Sequence, residues 1–314
     1  SLEKHIKKGI EFKFSWMAQR NANTRVIIKG IKEISKEYIS QLNQRNIRSK
    51  TIDSYRLALN YFVQALKNIQ PSEITIKSID KYKNWLKNKT NIKSPSSINI
   101  YLKSIRIFLN WCHDREYIIK VPKIELERVD NDQVKYFTEK EYLSIMNYKF
   151  YKDKRFPMMY KLYWETGLRL EEGFRGSISF DRLENSWLDI PKEANKCRKM
   201  KSIMLNEEQV STIKLIQAVW REKGSTRDHI KYYSKVLKHV IRELNIDDTK
   251  HFHSLRHSYG IRRIIELNGN IAQLRDEMGH SSVKTTEIYS KGNPKSHISR
   301  RVLRLQTRRA KRLP

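Results

Sequence analysis

The stretch HFHSLRHSYGIRRIIELNGNIAQLRDEMGHSSVKTTEIYSKG, residues 251–292, decides the fold of this chain. It places a histidine and an arginine three residues apart, at His253 and Arg256, so that on a helix the two side chains share a face. A Gly-His pair follows at His280, and a tyrosine stands nine residues further on, at Tyr289. Cationic donors in this order around one tyrosine are what transfer of a phosphodiester onto a protein hydroxyl requires.

A matching arginine, Arg169, lies far upstream at the end of the segment TGLR. Taken alone, each of these residues has an ordinary structural interpretation. Arg169 could be a surface arginine or the partner of Glu172 in an ion pair, and His253 and Arg256 could be solvated helix charges. Tyr289 could pack as a half-buried tyrosine, one of 16 in the chain. The joint order and spacing of the residues favour the chemical interpretation.

The composition indicates a polyanionic partner. The 314 residues include 64 Lys and Arg against 34 Asp and Glu, a formal net charge of +30. No apolar run is long enough to span a membrane, and no secretory signal pattern is visible. The two cysteines, Cys112 and Cys197, form no CxxC pair, which excludes a disulfide scaffold and a cysteine-ligated zinc site and favours a reducing, intracellular setting. HExxH and GxxxxGK[ST] motifs are absent, so metalloprotease and P-loop ATPase interpretations have no support.

Two domains are predicted from length and pattern. The predicted segments are a basic N-terminal extension (1–30), a helical domain (31–120), a linker (121–135), a second domain (136–293) and a basic C-terminal helix or tail (294–314). In the helical domain, apolar residues recur at helical spacing in four stretches. Ser49 or Thr51 is the predicted cap of the second of these helices.

The second domain is predicted to begin with a capping box at Thr138-Glu139-Lys140-Glu141. Helices are predicted at 142–151 and 158–166. Short strands are predicted at 187–190 and 202–205, joined by a basic turn. Helices dominate the rest of the chain.

The ordered motifs resemble those of the tyrosine recombinases of the integrase and Xer type. The family's TGLR-type box corresponds to residues 166–169, and its following acidic residue to Glu172. The H-x-L-R-H box corresponds to residues 253–257, the LGH-type box to residues 278–280, and the segment before the nucleophile to SVKTTEIY, residues 282–289. The helical segment YLKSIRIFLNWCHDREYI also resembles the family's core-binding domain. The resemblance covers roughly residues 31–292.

The resemblance implies a mainly α fold with a small β-sheet. A helical, SAM-like core-binding domain and a catalytic domain would form a C-shaped clamp around DNA. It implies site-specific cleavage and rejoining of double-stranded DNA through a 3′-phosphotyrosyl link and a free 5′ hydroxyl. The family works as a tetramer on two DNA sites through a Holliday junction, without ATP, metal, cofactor or small-molecule substrate.

The resemblance also assigns roles to individual residues. Glu172 is expected to orient Arg169 rather than take part in chemistry. The expected catalytic residues are Arg169, Lys196, His253, Arg256, His280 and the nucleophile Tyr289. If Tyr289 were not the nucleophile, Tyr259 would be the next candidate.

Several lysines could occupy the catalytic position, because the family's glycine-rich lysine turn is absent. The candidates are Lys192, Lys196, Lys199 and Lys201. Aligning residues 203–205 with the strand that follows the turn favours Lys196. Lys192, Lys199, Lys201 and His257 are then expected to contact DNA. The sequence also departs from the family after Glu172, where it reads GFRGS, and in Met278, which replaces the commoner leucine.

Three other functions stay open at this point. The same residues would serve a type IB topoisomerase-like enzyme that nicks and closes DNA without a second site. The chain could also be a DNA-binding protein with a vestigial site, or a general basic nucleic-acid-binding module without chemistry. The deviating motifs and the extended N-terminus favour an integrase of a mobile element over a housekeeping resolvase, and the composition would suit an archaeal virus or plasmid as its source. The protein is expected to act in the cytoplasm with DNA. In the tail, Ile298, Val302 and Leu305 could dock on a neighbouring subunit, or the tail could bind phosphates or pack in cis.

Overall fold

Residues 29–45, 47–129, 134–150, 153–194 and 200–291 are described by a computed structural model. Its contacts divide the chain into two units, residues 1–131 and 132–314. Both are built mainly from α-helices, and the second contains one small sheet, which confirms the predicted fold class. Most of the predicted N-terminal extension, Lys196, Lys199 and the predicted C-terminal helix lie outside the described residues.

The first unit is a cluster of amphipathic helices. In chain order they are α1 (Ile31–Gln44), α2 (Ser49–Leu66), α3 (Ile76–Lys89) and α4 (Pro95–Asp114), with a 3-10 turn at Pro71–Glu73. Apolar residues recur every three or four positions, so each helix presents one apolar face to a common core. The aromatic ring of Tyr38 lies at the centre of that core, 5.4 Å from Phe108 and 5.1 Å from Trp111.

The helix starts in this unit have different causes. Pro95 occupies the first turn of α4, where a missing N–H costs nothing because it would have no partner in the helix. The predicted cap of α2 is wrong. Ser49 is already the first helical residue, and Arg48 precedes it with a φ of −59° and a ψ of 133°. Neither Ser49 nor Thr51 therefore stands at the capping position.

The segment after α4 packs back onto that helix. The side-chain amide of Asn99 donates to the carbonyl of Glu127 at 2.9 Å, and the main-chain N–H of Glu127 donates to the Asn99 Oδ1 at 2.7 Å. The carboxylate of Glu127 also pairs with Lys87 at 2.9 Å. The start of the predicted linker is therefore held to the first unit by paired hydrogen bonds.

The second unit contains the sheet and the remaining helices. These are α5 (Glu139–Met146), α6 (Arg155–Thr166), α7 (Glu172–Arg175), β1 (Ser177–Phe180), β2 (Ser186–Ile190), β3 (Lys201–Leu205), α8 (Glu207–Glu222), α9 (Arg227–Glu243), α10 (His253–Glu266), α11 (Ile271–Met278), α12 (Val283–Thr286) and α13 (Ile288–Lys291). Its core is formed by buried aliphatic and aromatic side chains from α6, the sheet, α8, α9 and α10.

The predicted capping box is present at the start of α5. Thr138 accepts a hydrogen bond from the main chain of Glu141, and the Glu141 carboxylate accepts one from the main chain of Thr138. The predicted helix over 142–151 is too long, because α5 ends at Met146 and the chain then turns inward to bury Phe150. The predicted helix over 158–166 is too short. Asp153 accepts a hydrogen bond from the main chain of Arg155 and so allows α6 to begin three residues earlier.

The sheet is antiparallel with the order β1-β2-β3, and β1 was not predicted. Its register explains the position of one lysine. Lys201 is the partner of Ile190, so both side chains point to the same face of the sheet. Ile190 and Leu205 are buried on that face, while Ser202 and Met204 are exposed on the other. The alternation of β3 therefore turns Lys201 inward.

Helices α10, α11 and α13 form a smaller apolar cluster beside the main core. Ile261 and Ile264 of α10 pack with Leu274 and Met278 of α11 and with Tyr289 of α13. This packing brings the first turns of α10, the end of α11 and the tyrosine of α13 together.

Candidate active site

Arg169 lies in the turn between α6 and α7, which Gly167 makes possible. Gly167 has a φ of +64°, and a Cβ there would lie 2.4 Å from the ring of Tyr259, so no other residue fits. The turn lets Glu172 accept a hydrogen bond from the main-chain N–H of Arg169 at 2.8 Å and from its Nη1 at 2.6 Å. Glu172 is 0% exposed. This geometry is what a residue that orients Arg169 requires.

Arg256 is the most deeply buried cationic side chain of the site. Its side chain extends from α10 and is 1% exposed. It donates to the carbonyl of Gly167 and, at 2.6 Å, to the carbonyl of Met278, and its Nη1 lies 4.0 Å from the carboxylate of Glu172. Loss of hydration and the charge of Arg169 lower the pKa of Arg256 to about 10, while Glu172 acts against this. The guanidinium therefore keeps its charge at neutral pH.

Lys201 reaches the same cluster from β3. The residue is 9% exposed, and its Nζ has no hydrogen-bond partner among the described residues. Its chain packs against Gly279, where a Cβ would lie 2.9 Å from the lysine Cδ. Burial and then the charge of Arg256 lower its pKa to about 7. The neutral and charged forms of Lys201 are therefore comparably populated near neutral pH.

Tyr289 is almost completely enclosed, at 2% exposed. Its hydroxyl lies 3.1 Å from Nδ1 of His257. Its ring is nearly parallel to that of His280, with 6.4 Å between the centroids. Burial raises the pKa of Tyr289 to about 12, and the charges of Arg256 and Arg169 act in the opposite direction. The hydroxyl is therefore protonated at neutral pH.

His280 follows the left-handed residue Gly279, which ends α11 with a φ of +62°. The main-chain N–H of His280 donates to the carbonyl of Arg275, and its Nδ1 lies 2.9 Å from the buried hydroxyl of Thr286. Burial and the charges of Arg256, Arg169 and Lys201 lower the pKa of His280 to about 3. The imidazole is therefore neutral and held in one orientation.

His253 and His257 lie one turn apart at the start of α10, with their rings edge to face at a centroid distance of 4.7 Å. His253 is exposed to solvent on one side and packed against protein on the other. Partial loss of hydration, and then the proximity of His257 and Arg256, lower its pKa. His257 is half-buried. Burial followed by His251 and Arg256 lowers the pKa of His257 to about 4.

The remaining predicted residues lie elsewhere or outside the described part of the chain. Lys192 is exposed just after β2, and Lys196 and Lys199 are not among the described residues. The hydroxyl of Tyr259, the second candidate nucleophile, faces Glu277 at 3.3 Å, and burial raises its pKa to about 12. The structure therefore brings together Arg169, Glu172, Lys201, Arg256, His257, His280 and Tyr289, with His253 at the edge.

This arrangement can bind a phosphodiester. Two guanidiniums lie beside one buried carboxylate, and the partly charged Lys201 interacts electrostatically with all three, so the cluster keeps positive charge for an anion. Neutral imidazoles beside the tyrosine hydroxyl can accept or donate a proton. Among the described residues, no group of His, Cys, Asp or Glu side chains is arranged to hold a metal ion. No helix within the described ranges combines the length and apolar character of a membrane span.

Two features of the site were not predicted from the sequence. The contact between His257 and Tyr289 joins residues 32 positions apart, and no local pattern signals it. The burial of Lys201 does have a signal. Lys201, Ile203 and Leu205 alternate with Ser202 and Met204, and extending the predicted strand by one residue would have turned the lysine inward.

Comparisons with known proteins agree with the motifs. Residues 34–119 match the phage integrase N-terminal SAM-like domain, and residues 135–296 match the phage integrase family. The tyrosine recombinase XerC of Caldanaerobacter subterraneus subsp. tengcongensis is 25% identical over 82% of this chain and 82% of its own length. The tyrosine recombinase XerA of Saccharolobus solfataricus is 25% identical over 76% of this chain and 81% of its own length.

Solved structures share the fold. A lambda integrase dimer bound to a COC′ core site matches 88% of this chain and 80% of its own, with a TM-score of 0.63 and 15% identity. The Tn1549 transposon integrase in complex with transposon right end DNA matches 82% of this chain and 94% of its own, with a TM-score of 0.60 and 15% identity. The family match spans more than half of the chain and contains every residue of the cluster around Tyr289. The chain belongs to the phage integrase family, the tyrosine recombinases that its motifs resemble.

Proposed function

We propose that this protein is a site-specific DNA recombinase that cleaves and rejoins DNA strands through a covalent 3′-phosphotyrosyl intermediate at Tyr289. One observation carries the proposal: the charges of Arg169 and Arg256 act on the buried hydroxyl of Tyr289, while the neutral imidazoles of His257 and His280 lie against its ring and hydroxyl.

The two arginines would hold the scissile phosphate. Their guanidiniums can each donate two hydrogen bonds to the non-bridging oxygens and offset the charge that grows in the transition state. Glu172 supports this role, because its carboxylate contacts Arg169 at 2.6 Å and lies 4.0 Å from Arg256. His280, held by Thr286, would add a further donor to a phosphate oxygen.

The cleavage step forms the bond between Tyr289 Oη and phosphorus and breaks the bond between phosphorus and O5′. The departing O5′ needs a proton. Lys196 stays the lysine predicted from the sequence alignment. Lys201 fits the role on other grounds, because its Nζ is buried beside both arginines and its pKa is lowered to about 7. A lysine with such a pKa can give up a proton near neutral pH.

Attack of a 5′ hydroxyl on the tyrosyl phosphodiester would rejoin the strand. The energy of the broken bond is kept in the tyrosyl ester, so the exchange needs neither ATP nor a metal ion. Double-stranded DNA carrying an attachment site is the proposed substrate, and the net charge of +30 and the DNA-bound lambda and Tn1549 integrases support it. A homo-tetramer on two DNA sites, the Holliday junction, the clamp arrangement, the mobile-element role and the cytoplasmic location stay predictions.

The test is a suicide-substrate assay with nicked duplexes tiled over candidate attachment sites. The matched variants are Tyr289→Phe and Tyr259→Phe, which remove one hydroxyl each. Wild type and Tyr259→Phe are expected to form a protein–DNA adduct that survives denaturation, and Tyr289→Phe is expected to form none. An adduct in Tyr289→Phe would overturn the assignment of the nucleophile. If no protein forms an adduct while all still bind DNA, the recombinase proposal fails.

A further inference from the structure

His257 is the histidine whose ring nitrogen reaches the reacting atom of the proposed nucleophile. Its Nδ1 lies 3.1 Å from Oη of Tyr289, and the planes of the two rings are inclined by 54°. The ring therefore presents a nitrogen to the hydroxyl rather than a face. The contact joins the first turns of α10 to α13, two elements that also pack through Ile261 and Tyr289.

The neighbouring histidines are placed differently. His280 lies nearly parallel to the tyrosine ring, at an angle of 11°, and its Nδ1 is 2.9 Å from the hydroxyl of Thr286. His253 presents its ring to the ring of His257. The described contacts thus give each imidazole its own partner, and the tyrosine hydroxyl is the partner of His257.

The surroundings of His257 set its protonation state in the free protein. From its own helix and the residues just before it, His251, His253 and Arg256 face it, and Tyr289 and His280 face it from the elements packed against that helix. None of these groups is an anion, and burial, followed by His251 and Arg256, lowers the pKa of His257 so that it is unprotonated at neutral pH. One nitrogen of a neutral imidazole is then available to accept a proton.

We infer that His257 is a catalytic residue of this reaction, whose Nδ1 accepts the hydroxyl proton of Tyr289 as the tyrosine attacks phosphorus. The inference rests on the proposed function, because it names the base for the same nucleophile. The Tyr289 O–H bond breaks and its proton goes to Nδ1. The tyrosine oxygen forms the bond to phosphorus, and the electron pair of the broken P–O5′ bond leaves with O5′, which takes a proton from the lysine. In the rejoining step the imidazolium returns its proton to the tyrosine oxygen.

The same geometry explains why the free protein does not carry a tyrosinate. Burial holds the hydroxyl proton on Tyr289 and keeps His257 neutral. A DNA phosphate in the site adds negative charge beside His257, which favours the imidazolium. As the oxygen begins to bond to phosphorus, its proton becomes more acidic. The proton therefore passes from Tyr289 to His257 only as the tyrosine attacks the substrate, and not already in the free folded protein.

The test compares wild type with His257→Asn and His257→Phe in single-turnover cleavage of the suicide duplex. The Asn side chain keeps an acceptor oxygen near the position of Nδ1 but is not a base. We expect its cleavage rate to fall by roughly 10²-fold or more. The wild-type rate is expected to decline as the pH falls and the imidazole becomes protonated, and this acid limb should vanish in His257→Asn. His239→Asn, a change at an exposed histidine of α9, serves as the control.

A wild-type rate in His257→Asn would overturn the inference, and so would a reduced rate with an unchanged acid limb, because both indicate a positioning role at most. A second readout does not depend on cleavage. In the free protein, nitrogen NMR of the imidazole is expected to show His257 with its proton on Nε2 and none on Nδ1, and Tyr289→Phe should shift the Nδ1 signal. A proton on Nδ1 of His257 at neutral pH would refute its role as the base, because that nitrogen could not then accept the proton of Tyr289. If wild type forms no adduct, the proposed function fails, and the spectrum still tests the contact.

Discussion

Gly260 and Tyr289 are in contact because one of them has no side chain. A Cβ built on Gly260 would lie 2.7 Å from Cζ of Tyr289, closer than real atoms approach. The ring of the tyrosine thus occupies the space that any other residue of α10 would fill. The position of the proposed nucleophile, and with it the contact to His257, depends on the missing methyl group at Gly260, one turn further along α10 than His257.

The substitution Gly260→Ala is therefore expected to destabilise the protein. In a helix without tertiary overlap, the same change would stabilise by about 1 kcal/mol. Here the added methyl displaces the Tyr289 ring, at a cost of about 1–3 kcal/mol. Urea unfolding measures the sign, and the adduct assay should show slower cleavage. A more stable protein with an unchanged cleavage rate would mean that the tyrosine does not occupy this position.

Replacement of Glu172 by Gln should weaken both folding and cleavage. The carboxylate is buried and contacts Arg169 at 2.6 Å. Removing one partner of a buried ion pair typically costs about 3–5 kcal/mol, because the other charge stays behind without compensation. Denaturant unfolding checks the first effect and the single-turnover cleavage rate the second.

Glu171→Gln is the matched control, since Glu171 is the neighbouring glutamate and pairs with Arg175 and Arg227 at the surface. Exposed ion pairs contribute about 1 kcal/mol or less. Equal losses of stability in the two variants would contradict the bridging role of Glu172 between the arginines.

The two candidate lysines can be separated by the chemistry of the leaving group. A lysine that protonates O5′ becomes dispensable when sulfur replaces that oxygen, because a thiolate leaves without a proton. We expect Lys201→Ala to cleave ordinary DNA roughly 10²- to 10⁴-fold more slowly and to recover on the sulfur-containing duplex. Lys196→Ala is measured beside it. If only Lys196→Ala recovers on the sulfur-containing duplex, Lys196, the lysine predicted from the sequence, is the one that protonates O5′.

Acid should destabilise the second unit through its neutral histidines. Burial lowers the pKa of His257 to about 4 and that of His280 to about 3, from an ordinary value of 6.5. In this pH range the two histidines are protonated in the unfolded chain but not in the folded one. The free energy of unfolding therefore decreases as the pH falls from about 6.5 towards 4. His257→Asn should lose about 1–2 kcal/mol less than wild type between pH 7 and pH 5. Urea unfolding at both pH values measures this difference, and an equal loss in both proteins would refute it.

The sequence predicts the parts of the fold that depend on local patterns. In the first unit, the apolar residues that recur every three or four positions around Tyr38, Phe62 and Phe108 are enough to place the helices. Each of these patterns lies within a single helix and needs no contact from elsewhere in the chain. The capping box at Thr138 is equally local. The end of α5 was missed because it depends on the burial of Phe150, which is a tertiary event. The start of α6 was missed for a local reason, the hydrogen bond that the Asp153 side chain accepts from the main chain of Arg155.

Strand β1 depends on pairing with a strand elsewhere in the chain, whereas the inward direction of Lys201 had a local signal in the alternation of β3 that the predicted strand stopped one residue short of. The segment SISF is a strand because Ile178 pairs with Leu188, and Lys201 is buried because it pairs with Ile190. Arg169, Arg256, His280 and Tyr289, which the motifs single out, do lie together in the structure. The motifs did not predict that the hydroxyl of Tyr289 faces His257, since that contact depends on how α13 packs on α10.

Glu172 is the only fully buried carboxylate in the described part of the chain, and Arg169, Arg256 and Lys201 share it. The fold therefore tolerates a shortage of counter-ions at its most enclosed polar position. Natural selection for stability alone would remove such a shortage, for example by replacing the lysine with an apolar residue. The proposed function accounts for this shortage: the protein gives up part of its resting stability, and a substrate phosphate, rather than a side chain, would complete the electrostatic balance of its interior.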